Sequence, residues 1–410
     1  MRILPEIIKV ALSSLYANKL KSFLTILGIV VGIFSIISIS TVIEMLQKSI
    51  EDGVSGMGQN TFYVNKWPAV ITSRSEWLKY RNRKNINYNQ YEKLKKVFTA
   101  DVSIGAEQSG RNVIVKYNGE ETNPTVDFLG VTPEAFSNRD LHALAGRNIS
   151  QKDLESYADV VVLGADIVKK LFKKIDPVGQ HVKIDGHKLR VIGTLEKRGE
   201  IFGQSQDNFA VVPLTTFQSF YGKRYSSVRI SIKVNNASEY NELIEKATGY
   251  FRTIRKVPIG EEDDFSIATN EAVMGRINDM TAGVRIGSIV IAMIALLAAG
   301  IGIMNIMLVS VTERTREIGI RKSIGAKKNN ILFQFIVEAI VLCQVGGIVG
   351  IALGVLLGNV AGSALKANTM IPYDWIFIGV LLCTAVGVGF GVYPAYKAAN
   401  LDPIEALRYE

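Results

Sequence analysis

Between two long apolar segments, the chain reads VTERTREIGIRKSIGAKK over Val311–Lys328. Six lysine and arginine residues stand in this short loop against only two acidic residues, Glu313 and Glu317. Short loops this rich in Lys and Arg remain on the cytoplasmic side of a membrane. The loop therefore predicts the membrane topology, and it places a polar helical patch where a cytoplasmic partner can contact it.

Four stretches have the length and polarity of membrane spans. The stretches 22–43, 286–312 and 375–396 carry no charge, and the stretch 329–365 carries only Glu338. At about 1.5 Å per residue, roughly 20 helical residues cross the hydrocarbon core, so each stretch forms one span. We therefore predict a four-span α-helical membrane protein.

Positive charge orients these spans. Arg2, Lys9, Lys19 and Lys21 place the N-terminus inside, so the long segment between spans 1 and 2 lies outside. The predicted order is a cytoplasmic amphipathic helix at 1–21, span 1 at 22–45, an extracytoplasmic domain at 46–280, span 2 at 281–311, a cytoplasmic coupling loop at 312–329, span 3 at 330–361, a short external loop at 362–373, span 4 at 374–396 and a cytoplasmic tail at 397–410. The net charge of +9 reflects this topology and a mildly basic outer segment, and we do not expect nucleic-acid binding.

The N-terminal residues 3–16 read as an amphipathic helix. Apolar residues recur there at helical spacing, and Pro5 suits a first turn. Such a helix lies in the inner membrane interface, or it is simply the cytoplasmic extension of span 1. The sequence leaves both readings open.

The outer segment carries mixed α and β signals. Val113–Tyr117 and Glu120–Val131 flank Asn118-Gly119, and His181–Ile184 and His187–Leu195 flank Asp185-Gly186, which predicts two hairpins. A strand at 160–163 followed by a helix at 165–174, and a further helix at 240–252, complete the pattern. We expect a large extracytoplasmic α+β domain of two lobes, inserted between spans 1 and 2.

Small residues and one charge stand out inside the spans. Glycines recur every fourth residue in span 3 and twice in span 1, as Gly346, Gly350, Gly354 and Gly358, and Gly28 and Gly32. Such stripes let helix backbones approach closely, within one subunit or between two. Glu338 is a candidate intramembrane polar contact, because an ionisable group in a span is costly unless it has a partner. It serves either as a structural contact or as part of a moving joint.

No constellation for catalysis or cofactor binding occurs in the sequence. It lacks the phosphate-binding pattern G-x-x-x-x-G-K-S/T, the zinc pattern H-E-x-x-H and the nucleophile pattern G-x-S-x-G. His181 and His187 fall on a hairpin at positions that keep their rings apart. We therefore predict no catalytic, cofactor-binding or metal-binding residue on this chain. The basic stretch 79–84, next to Trp67 and Trp77, is predicted to be a solvated mobile loop, with binding to anionic lipid head groups or to an acidic substrate as the alternative.

Several strings resemble the permeases of the MacB group within the FtsX-like superfamily. They are NKLKSFLTILGIVVG at 18–32, GVTPEAF at 130–136, VVLG at 161–164, DPVG at 176–179, MNIMLVSVTERTREIGIRK at 304–322, YPAYKAA at 393–399 and LDPIEALR at 401–408. The order of one span, a large outer domain and three spans is also similar to that group.

This resemblance implies the permease subunit of an ABC transporter in the cell (plasma or inner) membrane, with both termini cytoplasmic. Its partners would be a second copy of itself, a separate ATPase that holds ATP and Mg, and, as a further candidate, an extracytoplasmic adaptor. The macrolide exporter has its ATPase fused ahead of span 1, whereas this sequence begins with the amphipathic helix, so we expect a separate ATPase chain. The permease would pass the ATPase motion to the outer domain to export drugs, peptides, or lipophilic or lipoprotein substrates. The alternative is an FtsX-like regulatory subunit that moves a cell-wall enzyme or adaptor without transport.

Under this interpretation the loop after span 2 couples the ATPase to the membrane. We expect a short helix over 313–326 that ends at Gly325, with Arg314, Glu317 and Arg321 on one face. The predicted coupling residues are Glu313, Arg314, Thr315, Glu317, Ile318, Gly319, Arg321, Gly325 and Ala326. Anchoring of the basic residues to anionic lipid is the alternative.

Overall fold

A computed structural model describes residues 19–55, 60–98, 102–110, 112–173, 175–201 and 203–408. The predicted amphipathic helix at 3–16 lies outside these residues. The chain divides into two compact units, one formed by 1–47 with 279–410 and the other by 48–278.

Four helices have the length and apolar character needed to cross a membrane. They are α1 (Lys19–Ser55), α9 (Asn270–Glu313), α11 (Lys328–Ala364) and α12 (Tyr373–Ala399). Two shorter helices follow α9 and α12, namely α10 (Thr315–Ser323) and α13 (Pro403–Arg408). All four long helices contribute buried side chains to one apolar core, among them Ile33, Leu296, Leu342 and Cys383. The predicted four-span class is confirmed.

The glycine stripe of α11 packs against α1 of the same chain. A Cβ atom placed on Gly354 would lie 2.7 Å from the Cβ of Ile37, and one on Gly350 would lie 3.0 Å from the Cβ of Ile33. The other predicted packing glycines meet neighbours in the same way, with Gly346 against Ile29, Gly358 against Thr41, Gly28 against Ala299 and Gly32 against Leu296. The stripe therefore brings two helices of one subunit together.

The unit 48–278 is built on a large mixed sheet. Its strands are β1 (Thr61–Asn65), β2 (Val102–Ser109), β3 (Val115–Tyr117), β4 (Glu120–Glu121), β5 (Asp127–Val131), β6 (Ala143–Gly146), β7 (Val160–Leu163), β8 (His181–Ile184), β9 (His187–Leu195), β12 (Phe209–Pro213), β13 (Arg229–Val234) and β14 (Ser266–Ala268), and a separate pair is β10 (Glu200–Ile201) with β11 (Gln204–Ser205). The order across the sheet is β14-β1-β13-β2-β5-β12-β7-β9-β8-β3-β4, with β6 on β9. Only the pairs β5–β12 and β7–β9 are parallel among the described strands.

Helices cover this sheet and fill its core. They are α2 (Arg74–Arg81), α3 (Tyr88–Val97), α4 (Pro133–Asn138), α5 (Gln151–Glu155), α6 (Ala165–Leu171), α7 (Leu214–Tyr221) and α8 (Tyr240–Arg255). Three clusters of buried side chains line the sheet, centred on residues such as Phe62, Phe128 and Val162. The α+β class predicted for this region is confirmed. Because one sheet runs through the whole unit, the expected two lobes do not correspond to two separate sheets.

The two predicted hairpins differ in how well they match the structure. The hairpin across Asp185-Gly186 is present as expected, with His181 paired with Arg190 and Ile184 paired with His187. The hairpin across Asn118-Gly119 is present as the short β3–β4 pair and an isolated bridge between Val113 and Val126, but the predicted continuous strand Glu120–Val131 breaks after Glu121. Asn123-Pro124 follows, and proline supplies no N–H for a continuing ladder. The chain then restarts as β5, which pairs with β2 and β12 instead.

Candidate functional site

The polar loop after span 2 forms a short helix joined to α9 by a single residue. Arg314 separates α9 from α10, and backbone hydrogen bonds run across it, from its own N–H to Ser310 O and from Ile318 N–H to its carbonyl. The Thr315 hydroxyl lies 3.0 Å from Val311 O and 2.9 Å from Thr312 O, which closes the end of α9. The helical hydrogen bonds thus continue on both sides of Arg314, and α10 is shorter than the predicted helix over 313–326.

The end of α10 agrees with the prediction. Gly325 has a φ of +98°, a conformation that glycine adopts without the strain of a side chain. Gly325 N–H donates to Lys322 O, and Ala326 N–H donates to Arg321 O. These bonds satisfy carbonyls that the last helical turn leaves open. Gly325 thus turns the chain into α11.

Arg314 contacts Glu338, the one ionisable residue predicted inside span 3. The Arg314 Nη1 atom lies 3.2 Å from Oε1 and 3.5 Å from Oε2 of Glu338. The Glu338 side chain is fully buried, and about a fifth of the Arg314 side chain is exposed. A buried carboxylate needs such a partner, because its desolvation is costly. This ion pair fixes the junction between α9 and α10 to span 3.

The prediction that Arg314, Glu317 and Arg321 share one face and can pair is confirmed for Glu317 and Arg321, and it is wrong for Arg314. Arg321 donates to Glu317, one helical turn away, and also to Gln334 Oε1 at 2.9 Å. Arg314 instead turns inward to Glu338. A residue at the N-terminal boundary of α10 does not follow the helical spacing that the prediction assumed.

The inner face of α10 packs against the C-terminal helix α13. A Cβ on Gly319 would lie 2.8 Å from the Cβ of Ala406, so only glycine fits there without movement. Ile318 and Thr315 are also buried. These three predicted coupling residues face their own chain, and they are not available to a partner protein.

Lys322 connects α10 to the end of span 4. Its Nζ atom donates to Ala399 O and to Leu401 O, both at 2.6 Å. Carbonyls at a helix C-terminus attract cations, since they lack intrahelical donors. Burial, together with the nearby Lys328, lowers the pKa of Lys322. Sequence reasoning counted Lys322 only as one of the loop's positive charges.

The outer face of α10 carries charged residues and two exposed isoleucines. Ile320 is 45% exposed and Ile324 is 82% exposed. Arg316 stands four residues before Ile320, so the three share one helical face, next to the exposed Glu317–Arg321 pair. Sequence reasoning missed these isoleucines, although their spacing of four in a polar loop was a usable signal. The predicted residues Glu313 and Gly325 are exposed, and Ala326 is half-buried.

Two further candidates from the sequence, the basic stretch 79–84 and His187, lie in the unit 48–278. The predicted mobile loop at 79–84 is wrong: α2 covers its start, Lys79 pairs with Glu262, and Arg83 donates to Ser266 Oγ at 2.7 Å. His187 stacks on Phe220 with the ring centres 3.7 Å apart.

Comparisons with known proteins agree with this architecture. Residues 22–250 match the MacB-like periplasmic core domain, and residues 289–403 match the FtsX-like permease C-terminal domain. With a large α+β domain between span 1 and span 2 and a short polar helix after span 2, the chain has the organisation of an ABC transporter permease. It belongs to the MacB and FtsX-like permease family.

Individual relatives cover the chain to different extents. The ABC transporter permease YknZ of Bacillus subtilis is 35% identical over 410 residues and covers 99% of both chains. The macrolide export ATP-binding/permease protein MacB of Bdellovibrio bacteriovorus is 32% identical over 399 residues, which are 97% of this chain and 60% of that protein. The chain thus spans about three fifths of the length of its MacB relatives. The periplasmic region of MacB from Actinobacillus actinomycetemcomitans is similar at 18% identity with a TM-score of 0.45, over 56% of this chain and 97% of that structure.

Proposed function

We propose that this chain is the motion-transmitting permease subunit of an ABC transporter whose ATPase is a separate protein. In this proposal α10 is the contact for the ATPase. ATP and Mg are bound and hydrolysed by the ATPase, and the permease itself is not catalytic. The positive charge of the loop after span 2 supports a cytoplasmic position for α10 and for both termini in a plasma or inner membrane protein.

The observation that carries this proposal is the two-sided character of α10. Its inner side is fixed to three other segments, through Arg314 to span 3, through Lys322 to the end of span 4 and through Gly319 to α13. Its outer side presents Ile320 and Ile324. A helix held this firmly passes on a displacement instead of absorbing it, and exposed apolar residues rimmed by charge are typical of a docking surface.

Export is the activity that we propose for the complete assembly. The MacB relatives are named for macrolide export, and we extend export to this chain for drugs, peptides or lipoprotein substrates. We further propose that two copies work together with two ATPases. The glycine stripe does not support this dimer, since it packs α11 on α1 of the same chain.

The test replaces an exposed isoleucine of α10 with an acid. Ile324→Asp should abolish the stimulation of ATP hydrolysis that the permease gives its ATPase in lipid nanodiscs. The matched control is Ile371→Asp, the same change at another exposed isoleucine, because Ile371 is 48% exposed and lies between α11 and α12, at the opposite end of the spans. Glu317→Lys should give the same loss as Ile324→Asp, because it breaks the pair with Arg321 on the docking face.

Lipid anchoring of the loop makes a different prediction. It depends on positive charge alone, so Ile324→Asp would leave coupling almost intact, and Arg321→Lys would be silent. A fitted protein contact should be weakened by Arg321→Lys, since lysine lacks the planar fork of arginine. Unchanged stimulation in all three variants would reject α10 as the ATPase contact.

A further inference from the structure

The unit 48–278 contains a cavity on its large sheet. Its volume is about 630 Å³, within the range of about 300–1,000 Å³ that is usual for sites of small ligands. Neighbouring strands form its floor, with Tyr63 on β1, Arg229 on β13, Glu107 on β2, Asp127 on β5 and Phe209 on β12. These residues are far apart in sequence, and only the sheet brings them together.

A buried carboxylate between two guanidinium groups lies at the centre of this floor. Glu107 Oε2 accepts from Arg139 Nη1 and Glu107 Oε1 from Arg229 Nη1, both at 3.0 Å. Burial alone would raise the pKa of Glu107, but the two arginines hold it below its ordinary value. Glu107 therefore stays ionised, and the three side chains together carry one net positive charge.

Both arginines keep donors for a ligand. A guanidinium has five N–H donors, and within the described part of the chain the side-chain hydrogen bonds of Arg139 and Arg229 all go to Glu107. Both side chains line the cavity and are open to it, since the Arg229 side chain is 48% exposed and the Arg139 side chain is 25% exposed. Two fork-shaped donors at one place match the geometry of a carboxylate.

The surroundings favour an anionic ligand with an apolar part. Lys66 and Arg198 add positive charge to the lining, against Asp127, whose pKa is raised by burial. Trp67 and Phe209 supply aromatic surface in the same cavity. Glu107 and the two central guanidinium groups together keep one positive charge, which a single carboxylate neutralises.

We propose that this cavity binds the carboxylate of a small amphiphilic ligand, with Arg229 and Arg139 as the donors. Glu107 holds the two guanidinium groups in place before the ligand arrives, so little side-chain freedom is lost on binding. Trp67 and Phe209 contact the apolar part of the ligand. This site needs no ATPase, so its test is independent of the coupling proposed above.

The experiment is calorimetric titration of the full chain in lipid nanodiscs with two matched probes. One probe is an N-acetylated tripeptide that ends in phenylalanine with a free carboxylate, and the other is the same peptide with a C-terminal amide. The wild type should bind the acid about ten- to hundredfold more tightly than the amide, the ratio expected for hydrogen bonds to a charged group. Failure to bind the acid, or equal binding of both probes, would overturn the proposal.

Variants locate the contact within the cavity. Arg229→Gln should remove the preference for the acid, and it should still fold because Arg139 continues to neutralise Glu107. Arg229→Lys should restore only part of the preference, since lysine keeps the charge without the fork. Arg190→Gln, the same change at an exposed arginine outside the cavity, should bind like the wild type.

Two further measurements close the alternatives. Ala69→Trp adds bulk at an exposed position of the cavity lining and should block the acid without touching the ion pairs. Inorganic phosphate should compete no better than acetate. If phosphate displaces the probe and acetate does not, the carboxylate assignment is wrong. If Arg229→Gln binds the acid as the wild type does, the arginines serve the fold alone.

Discussion

Alanine at Gly354 should destabilise the transmembrane unit, whereas alanine at Gly389 should not. Both glycines lie inside long helices, Gly354 in α11 and Gly389 in α12. At Gly354 the new Cβ would lie 2.7 Å from the Cβ and 2.9 Å from the Cγ2 of Ile37. At Gly389 no atom outside its own helix turn lies within 4 Å of the new Cβ among the described residues. The pair therefore isolates the close approach of α11 to α1.

The size of the effect follows from these distances. Carbon atoms prefer a separation of about 3.5–4.0 Å, so α11 and α1 must move apart by roughly 1 Å at Gly354. Such overpacking costs about 1–3 kcal/mol. Both variants gain about 0.5–1 kcal/mol from the better helix propensity of alanine, and this gain cancels in the comparison. Gly354→Ala should thus be about 1–3 kcal/mol less stable than Gly389→Ala.

Reversible unfolding in mixed micelles, followed by circular dichroism, measures this difference. Gly346→Ala provides a graded point, because its Cβ would lie 3.1 Å from Ile29 and should cost less than Gly354→Ala. Equal stability of Gly354→Ala and Gly389→Ala would refute the inferred packing. A loss of dimer mass without a loss of subunit stability would mean that the stripe lies between subunits.

Three further predictions concern the outer unit, the topology and the assembly. Arg147 donates to both oxygens of Asp153, at 2.5 and 2.9 Å, and with Ser150 it holds the pKa of Asp153 well below its usual range. This contribution to stability is present above the unfolded pKa of about 3.9 and is lost as pH falls. Asp153→Asn should therefore be about 1–3 kcal/mol less stable than the wild type at pH 7. In thermal unfolding, its stability should fall less than that of the wild type when the pH drops below 4. For the topology, Lys84→Cys should react with an impermeant thiol reagent added to intact cells and Lys327→Cys should not; labelling of Lys327→Cys from outside would reverse the proposed orientation. The mass of the solubilised complex with its ATPase and ATP should fit two copies of each chain, and a one-to-one complex would contradict the proposed dimer.

The sequence predicted the parts of the fold that depend on local composition. The four spans follow from uncharged runs, and the β8–β9 hairpin follows from Asp185-Gly186, whose φ angles of +46° and +89° need the residues found there. The strand β5 was assigned to the wrong partner because its neighbours, β2 and β12, are set by the sheet order and not by adjacent sequence.

In the candidate sites too, the sequence predicted local features but not contacts between distant residues. The end of α10 at Gly325 was predictable, since it depends on one residue and its local turn. The contact of Arg314 with Glu338 joins residues 24 positions apart. Which of several nearby cations reaches Glu338 depends on how the helices pack, and the local sequence does not specify this. The cavity around Glu107 was not predicted at all, because its lining comes from strands scattered between Tyr63 and Ala268.

The bond of Lys322 to the end of span 4 has a mechanical consequence. Helix α12 has 27 residues and is therefore about 40 Å long. If the end bonded to Lys322 acts as a pivot, a tilt of about 5° displaces the other end of α12 by roughly 3–4 Å, a distance worked from the helix rise. Under the coupling proposed above, a small tilt of one helix would therefore carry the motion of α10 to the opposite end of the spans.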